Sequence, residues 1–143
     1  MSGGHPSVLV SNRQSLPLEL EPLVDLARLT LEAEGQMKTE LSLSFVDDRE
    51  METLHLRYMN EPGPTDVLSF PLGDVDELGV KLLGDVIIAP SVAARNSPDD
   101  PPRELRLLLV HGILHILGYD HEEQAARAQM WALQERYSGV RVP

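Results

Sequence analysis

The chain has 143 residues, of which 12 are basic and 23 acidic, giving a formal net charge of −11. This length fits one compact domain over residues 1–143, and 42% hydrophobic content is typical of a globular chain rather than a disordered one. The absence of cysteine excludes disulfides, thiolate nucleophiles and cysteine-based metal sites. The acidic balance disfavours non-specific binding to a polyanion, so contact with RNA would require a local basic patch or a partner that delivers the substrate.

The sequence carries no signal for export or membrane insertion. Its first apolar run, residues 8–10, is too short for a signal peptide, and no basic stretch precedes it. No segment approaches the roughly 18 uninterrupted apolar residues that a membrane-spanning helix needs. We therefore expect a cytoplasmic protein without a membrane partner.

The first half of the sequence predicts two strands and two helices. In chain order they are a strand at 7–12, a helix at 17–35, a strand at 40–46 and a helix that follows Asp48. Apolar residues recur at spacings of three and four in the first helix, which Gly35 caps at its C-terminus. In the second helix, Asp48 is the expected N-cap, and Met51, Leu54 and Tyr58 form an apolar stripe.

The second half predicts two more strands and two more helices. In chain order they are a strand at 67–70, an acidic loop or hairpin at 71–80, a strand at 83–89, a helix from about residue 102 to Gly118, and a helix at 122–137. Trp131 of the last helix is expected to lie in the core. The mixture of strands and helices indicates an α/β or α+β layered fold, whose strand order the sequence does not reveal.

Three of the five histidines lie within the segment HGILHILGYDH, from His111 to His121. His111 and His115 are four residues apart, so on a helix their rings share a face and can converge on one ion. Gly118 allows the chain to leave the helix and to carry His121 back toward the other two. Three neutral imidazoles with a fourth position left for water are typical of catalytic zinc. We therefore predict one zinc ion on these three side chains.

The histidine spacing also permits other functions. H-x₃-H-x₂-G-x₂-H is the spacing of the metzincin proteases, in which a glutamate general base follows the first histidine. Gly112 occupies that position here and cannot accept a proton. A metal-dependent protease or amide hydrolase is therefore one alternative function. A non-catalytic assembly factor with structural zinc is a second.

Two further segments accompany the histidines. PTDVLSF at 64–70 and LGDVIIA at 83–89 resemble, together with HGILHILGYDH, the motifs of the YbeY family. Members of that family are bacterial rRNA maturation factors described as single-strand-specific endoribonucleases. The resemblance extends from about residue 43 to residue 137. It implies an α/β (α+β) fold in which a mixed four-stranded sheet packs with about five helices.

The resemblance also implies a function and a set of partners. The function is zinc-dependent cleavage of single-stranded RNA in 3′-end maturation of small-subunit rRNA and in ribosome quality control. His111, His115 and His121 would hold the zinc, on a helix in the C-terminal half and the turn after it. The implied partners are single-stranded rRNA, the small ribosomal subunit with its proteins, and an assembly GTPase.

One position departs from the family pattern. Many members have an arginine directly after the tyrosine that corresponds to Tyr58, where this chain has Met59. Arg57 lies roughly 200° away around a helix and cannot simply replace that arginine.

Several other polar residues are weaker candidates for the site. Asp120 and Glu122 flank His121, and either is a candidate catalytic base or a candidate hydrogen-bond partner of a ligand histidine. Four polar residues are candidates for the cleft or for a contact with a ligand histidine: Thr65, Asp66, Ser69 and Asp85. Three arginines are candidates for contacts with RNA: Arg57, Arg103 and Arg106. Each has an ordinary structural explanation as well, since turn residues cap local backbone and helix arginines face solvent. The sequence leaves open both the general base and the nucleophile, which is water or the RNA 2′-hydroxyl.

Overall fold

The structure, a computed structural model, describes residues 4–119 and 123–141. Within these residues the chain forms four strands and five helices, as the family resemblance implies. In chain order they are β1 (Ser7–Arg13), α1 (Leu20–Ala33), β2 (Thr39–Val46), α2 (Asp48–Met59), β3 (Val67–Pro71), β4 (Lys81–Ile88), α3 (Pro90–Asn96), α4 (Pro101–Ile116) and α5 (Gln124–Ser138). None of the described helices is long and apolar enough to span a membrane.

The sheet is mixed, and its strand order is β1-β2-β4-β3. β2 pairs in parallel with β1 and with β4, whereas β3 and β4 form an antiparallel hairpin. Parallel neighbours need a crossover connection, which α1 provides between β1 and β2. The hairpin places β3 at one edge of the sheet. The mixed α/β fold predicted from the sequence is confirmed.

Apolar residues cover both faces of the sheet. Side chains alternate along β4, so Val86 and Ile88 join the larger core cluster beneath α1 and α4, while Ile87 joins a smaller cluster beneath α2 and α3. The larger cluster includes Leu109 and Ile113 of α4, both fully buried. α4 is therefore fixed against the sheet along one face, and the position of that helix determines where its histidines lie.

The second helix begins one residue earlier than the sequence indicated. Asp47 is its N-cap, because the Asp47 carboxylate accepts a hydrogen bond from the backbone N–H of Glu50 at 2.8 Å. Asp48 is already helical. Its carboxylate pairs with Arg95 at 2.9 Å and accepts a hydrogen bond from the hydroxyl of Ser91, which ties α2 to α3. The prediction of Asp48 as the cap was wrong because two adjacent aspartates offered the same signal.

Trp131 is not part of the core. Its side chain is 54% exposed, and the guanidinium of Arg127 lies 5.9 Å from its ring centroid. The buried residues of α5 are instead spaced by four, at Met130, Gln134 and Ser138. The prediction was wrong because the buried stripe of α5 is narrow and contains two polar residues, so apolar periodicity could not locate it.

Candidate metal centre

α4 brings two of the three predicted metal ligands together. The rings of His111 and His115 have their centroids 4.6 Å apart at an interplanar angle of 74°. Both rings are half-buried. The helix that carries them starts where the Asp100 carboxylate accepts a hydrogen bond from the backbone N–H of Arg103, at 3.2 Å. The i, i+4 spacing thus places both imidazoles on one side of the helix.

The third predicted ligand, His121, lies outside the described residues, as do the candidate bases Asp120 and Glu122. Up to that point the chain follows the expected course. Gly118 adopts a φ of +98°, which turns the backbone out of α4. Within residues 4–119 and 123–141, no group of three metal-ligating side chains comes together.

A buried amide contacts the first histidine. Oε1 of Gln134, on α5, lies 2.8 Å from Nδ1 of His111. No motif in the sequence indicates a role for this residue. Gln134 lies four residues from both Met130 and Ser138, and this spacing was the available signal that it faces the interior. Because two of these three residues are polar, the pattern does not stand out as a buried face in the sequence.

Gly112 packs directly against the sheet. A Cβ atom at this position would lie 2.8 Å from Cγ1 of Val86 and 3.2 Å from Oγ of Ser69. The Ser69 hydroxyl also donates a hydrogen bond to the Gly112 carbonyl, at 3.2 Å. The residue after His111 therefore faces strands β3 and β4. A glutamate here would have to displace the sheet before it could act as a base.

The candidate cleft residues before and within β3 occupy two different environments. Ser69 contacts α4 beside the histidines, as described. The backbone carbonyl of Asp66 accepts a hydrogen bond from the N–H of Ala89 at 2.9 Å, and its carboxylate accepts one from the Asn96 amide at 3.4 Å. Asp66 thus ties the turn that precedes β3 to α3. Thr65 is half-buried in the same turn.

Asp85 lies on the opposite face of the sheet from α4. It is the ladder partner of Phe70 in β3 and of Ser42 in β2. Phe70 packs in the cluster beneath α2, and directly paired residues project from the same face. The structure therefore does not bring Asp85 to the histidines, and its hypothesised role as an acceptor for a metal-bound ring is not retained.

The candidate arginines make contacts with their own chain. Arg103 donates a hydrogen bond to the carbonyl of Arg141 at 3.0 Å, and Arg106 donates one to the carbonyl of Ser138 at 3.4 Å. Both contacts join the C-terminal end of α5 to α4, while Arg103 itself stays exposed. A contact of these arginines with RNA stays a prediction. The guanidinium of Arg57 lies 5.5 Å from the Tyr58 ring centroid, on the exposed side of α2.

A carboxylate clamp joins three elements close to the chain that follows α4. The hydroxyl of Tyr119 donates a hydrogen bond to Oε1 of Glu34 at 2.6 Å, and the hydroxyl of Tyr137 donates one to the other carboxylate oxygen. The hydrogen bond, then burial, raises the pKa of Tyr119. Burial, then the hydrogen bond, raises the pKa of Tyr137 to about 12. The clamp fixes the backbone one residue before the segment that contains His121.

The chain is similar to a known family over most of its length. The family model described as Endoribonuclease YbeY matches residues 10–139. Endoribonuclease YbeY from Thermobifida fusca is 45% identical over 140 residues, which cover 90% of this chain and 89% of the relative. Endoribonuclease YbeY from Streptomyces coelicolor is 40% identical over 144 residues, which cover 90% of this chain and 86% of the relative.

The fold has a counterpart among solved structures. The solution structure of TM1509 from Thermotoga maritima matches with a TM-score of 0.64 and 27% sequence identity. The match covers 92% of this chain and 86% of that chain. The likeness therefore extends over the sheet and its helices and is not confined to the histidine segment.

Proposed function

The chain belongs to the YbeY family of endoribonucleases, and from this premise we propose that it cleaves single-stranded RNA with one bound zinc ion. Membership makes it a hydrolase of RNA phosphodiester bonds. The observation that carries the zinc proposal is the pair of imidazoles on α4, whose centroids are 4.6 Å apart.

The donor set of the described residues fits a zinc ion. Imidazole nitrogen is a preferred ligand of zinc, and a ligand ring must offer one unprotonated nitrogen. The amide oxygen at Nδ1 of His111 can only accept a hydrogen bond, so Nδ1 carries the proton and Nε2 is the unprotonated nitrogen of the neutral ring. His111, His115 and His121 would hold the ion.

The chain's own residues prepare the site. When bound, zinc supplies Lewis acidity toward a phosphate oxygen and activates water at neutral pH. His111 and His115 present two nitrogens from one rigid helix, and Gly112 allows that helix to approach the edge strand β3 closely. Asp120 or Glu122 is the proposed proton acceptor.

The proposed substrate is the 3′ end of small-subunit rRNA in its single-stranded form. Half-buried histidines are reached more readily by a flexible single strand than by a rigid duplex. The net charge of −11 gives little long-range attraction to RNA, and Arg103 and Arg106 are engaged by backbone carbonyls. We therefore include the small ribosomal subunit with its proteins and an assembly GTPase as partners that deliver the RNA. The proposed location is the cytoplasm, and the proposed role extends to ribosome quality control.

A cleavage assay on matched RNAs tests this proposal. The wild type is expected to cleave a fluorescent single-stranded oligonucleotide in the presence of zinc and to leave the same sequence in a duplex intact. His111→Ala and His115→Ala are each expected to abolish cleavage of the single strand. His5→Ala is the matched control, because His5 is exposed near the N-terminus, far along the chain from α4. This variant should cleave at the wild-type rate. Full cleavage by both α4 variants would refute the proposal.

Two structural observations argue against the alternatives. The close packing of Gly112 leaves no room for the glutamate base of a metzincin, so we expect no zinc-dependent cleavage of casein. Apolar packing in three buried clusters joins the described sheet and helices, so we expect the fold not to depend on a zinc ion.

A further inference from the structure

Gln134 differs from the other buried polar residues. Four polar side chains are buried in the described part of the chain: Thr30, Thr39, Gln134 and Ser138. The hydroxyls of the two threonines and the serine each donate to a backbone carbonyl three or four residues earlier, so they satisfy themselves locally. Gln134, only 6% exposed, instead reaches from α5 to the imidazole of His111 on α4. A buried amide without a partner is costly, so this contact explains why a glutamine is tolerated there.

We propose that Gln134 is a positioning residue that fixes the tautomer and the ring orientation of His111 for metal binding. The proposal rests on the proposed role of His111 as a metal ligand. An amide oxygen accepts and never donates, so the hydrogen bond exists only when Nδ1 of His111 carries the proton. The tautomer that this selects leaves Nε2 unprotonated. Hydrogen bonds of this kind orient ligand histidines and strengthen metal binding.

The packing of α5 holds Gln134 in place. One turn before it, Met130 is buried against Val110 and Leu114 of α4. One turn after it, the hydroxyl of Ser138 donates a hydrogen bond to the Gln134 carbonyl at 2.5 Å. These contacts fix the α5 backbone at Gln134 relative to α4, and the 2.8 Å contact with His111 then places the amide oxygen.

The choice of an amide makes a specific prediction about substitutions. Glutamine is a neutral acceptor, so it orients the ring without adding charge. Gln134→Glu keeps an acceptor oxygen and adds a negative charge near the cation, so we expect zinc to bind at least as tightly. Gln134→Met keeps the length of the side chain and its burial but removes the strong acceptor, so the two substitutions separate hydrogen bonding from packing.

Two measurements that do not involve RNA test the proposal. In metal-free protein, ¹⁵N NMR of the histidine rings should show His111 protonated at Nδ1 in the wild type and in Gln134→Glu, and a mixture of tautomers in Gln134→Met. In competition with a chromophoric chelator, Gln134→Met should bind zinc about 10- to 100-fold more weakly than the wild type. Gln129→Met is the matched control, because Gln129 is exposed on the same helix and its substitution should change neither reading.

Each outcome decides the question. The proposal would be overturned if Gln134→Met kept both the zinc affinity and the His111 tautomer of the wild type. It would also be overturned if Gln134→Glu lost as much zinc affinity as Gln134→Met, because that result would assign the effect to packing. If Gln134→Met does not fold, Gln134→Leu replaces it in both measurements. A wild-type protein that binds no zinc would refute the proposed metal dependence, whereas the tautomer of the metal-free protein would still test the role of Gln134.

Discussion

The hydroxyl of Tyr137 donates a hydrogen bond to the carboxylate of Glu34, 103 residues earlier in the chain. The contact closes the end of α1 onto α5, and Tyr119 completes it from the chain after α4. Both tyrosines must be protonated to donate. Since their pKa values are raised in the folded protein, the clamp links the stability of the fold to pH.

Removing the Tyr137 hydroxyl is expected to lower stability in a pH-dependent way. Its pKa is raised to about 12, above an ordinary value of about 10. A group whose pKa is raised by folding contributes its full stabilisation at pH values below its pKa in the unfolded chain. This contribution is lost as the pH rises toward the pKa in the folded protein. Tyr137→Phe should lower the free energy of unfolding by about 1–2 kcal/mol near neutral pH. The difference from the wild type should shrink between about pH 10 and pH 12.

Urea unfolding at a series of pH values provides the measurement. Tyr58→Phe is the control, because Tyr58 is exposed on α2 and the same chemical change there should leave the pH dependence unaltered. An effect of Tyr137→Phe that is constant across the alkaline range would show that ionisation of this hydroxyl is not coupled to folding.

Gly112→Ala is expected to destabilise the protein although alanine is the better helix former. The new Cβ would lie 2.8 Å from Cγ1 of the buried, β-branched Val86, and relieving such overpacking costs about 1–3 kcal/mol. The higher helix propensity of alanine over glycine offsets roughly 1 kcal/mol of this cost at most. Thermal and urea unfolding should therefore show a net loss of stability.

A double-mutant cycle identifies the contact responsible. Val86→Ala removes the clashing methyl, so Gly112→Ala should cost less in that background than in the wild type. Gly4→Ala is the control, because a Cβ there meets no atom within 4 Å. A Gly112→Ala protein as stable as the wild type would mean that α4 does not lie this close to the sheet.

Neighbouring residues of α5 should respond very differently to truncation. Met130 is fully buried between α4 and α5, so Met130→Ala is expected to cost about 2–5 kcal/mol. Trp131 is mostly exposed, so Trp131→Ala should change stability by less than about 1 kcal/mol. Trp131 is the single tryptophan of the chain, and its fluorescence should be readily quenched by acrylamide. A strongly protected tryptophan would contradict the orientation of α5.

Removing the metal should leave the fold intact. The buried clusters are built from aliphatic, aromatic and methionine side chains, and they join the described sheet and helices by apolar packing. We therefore expect chelator-treated protein to keep its circular dichroism spectrum and a cooperative thermal transition. A chain that unfolds on chelation would indicate a structural metal site instead.

Local patterns predicted much of the fold and part of the site. Alternation in residues 40–46 identified β2, the spacing of His111 and His115 placed two rings on one helix face, and Gly118 marked the end of α4. These features depend on neighbours within a few residues. They are therefore visible in the sequence.

Features set by contacts between distant residues were not visible. The face on which Asp85 lies depends on which helices cover each side of the sheet, and the partner of His111 depends on how α5 packs against α4. The short helix α3 follows β4 directly and has too few residues for a periodic signal. The strand order β1-β2-β4-β3 likewise follows from the crossover connections rather than from any single segment.

The most direct test of the proposed zinc-dependent nuclease follows one sample through chelation and re-metallation, with elemental analysis and cleavage of single-stranded RNA measured at each stage. We predict one zinc ion per chain in the purified protein, loss of cleavage when the zinc is removed, and recovery when it is restored. His111→Ala, taken through the same cycle, should neither retain zinc nor recover cleavage. Metal-free protein that cleaves RNA at the full rate would contradict the proposal.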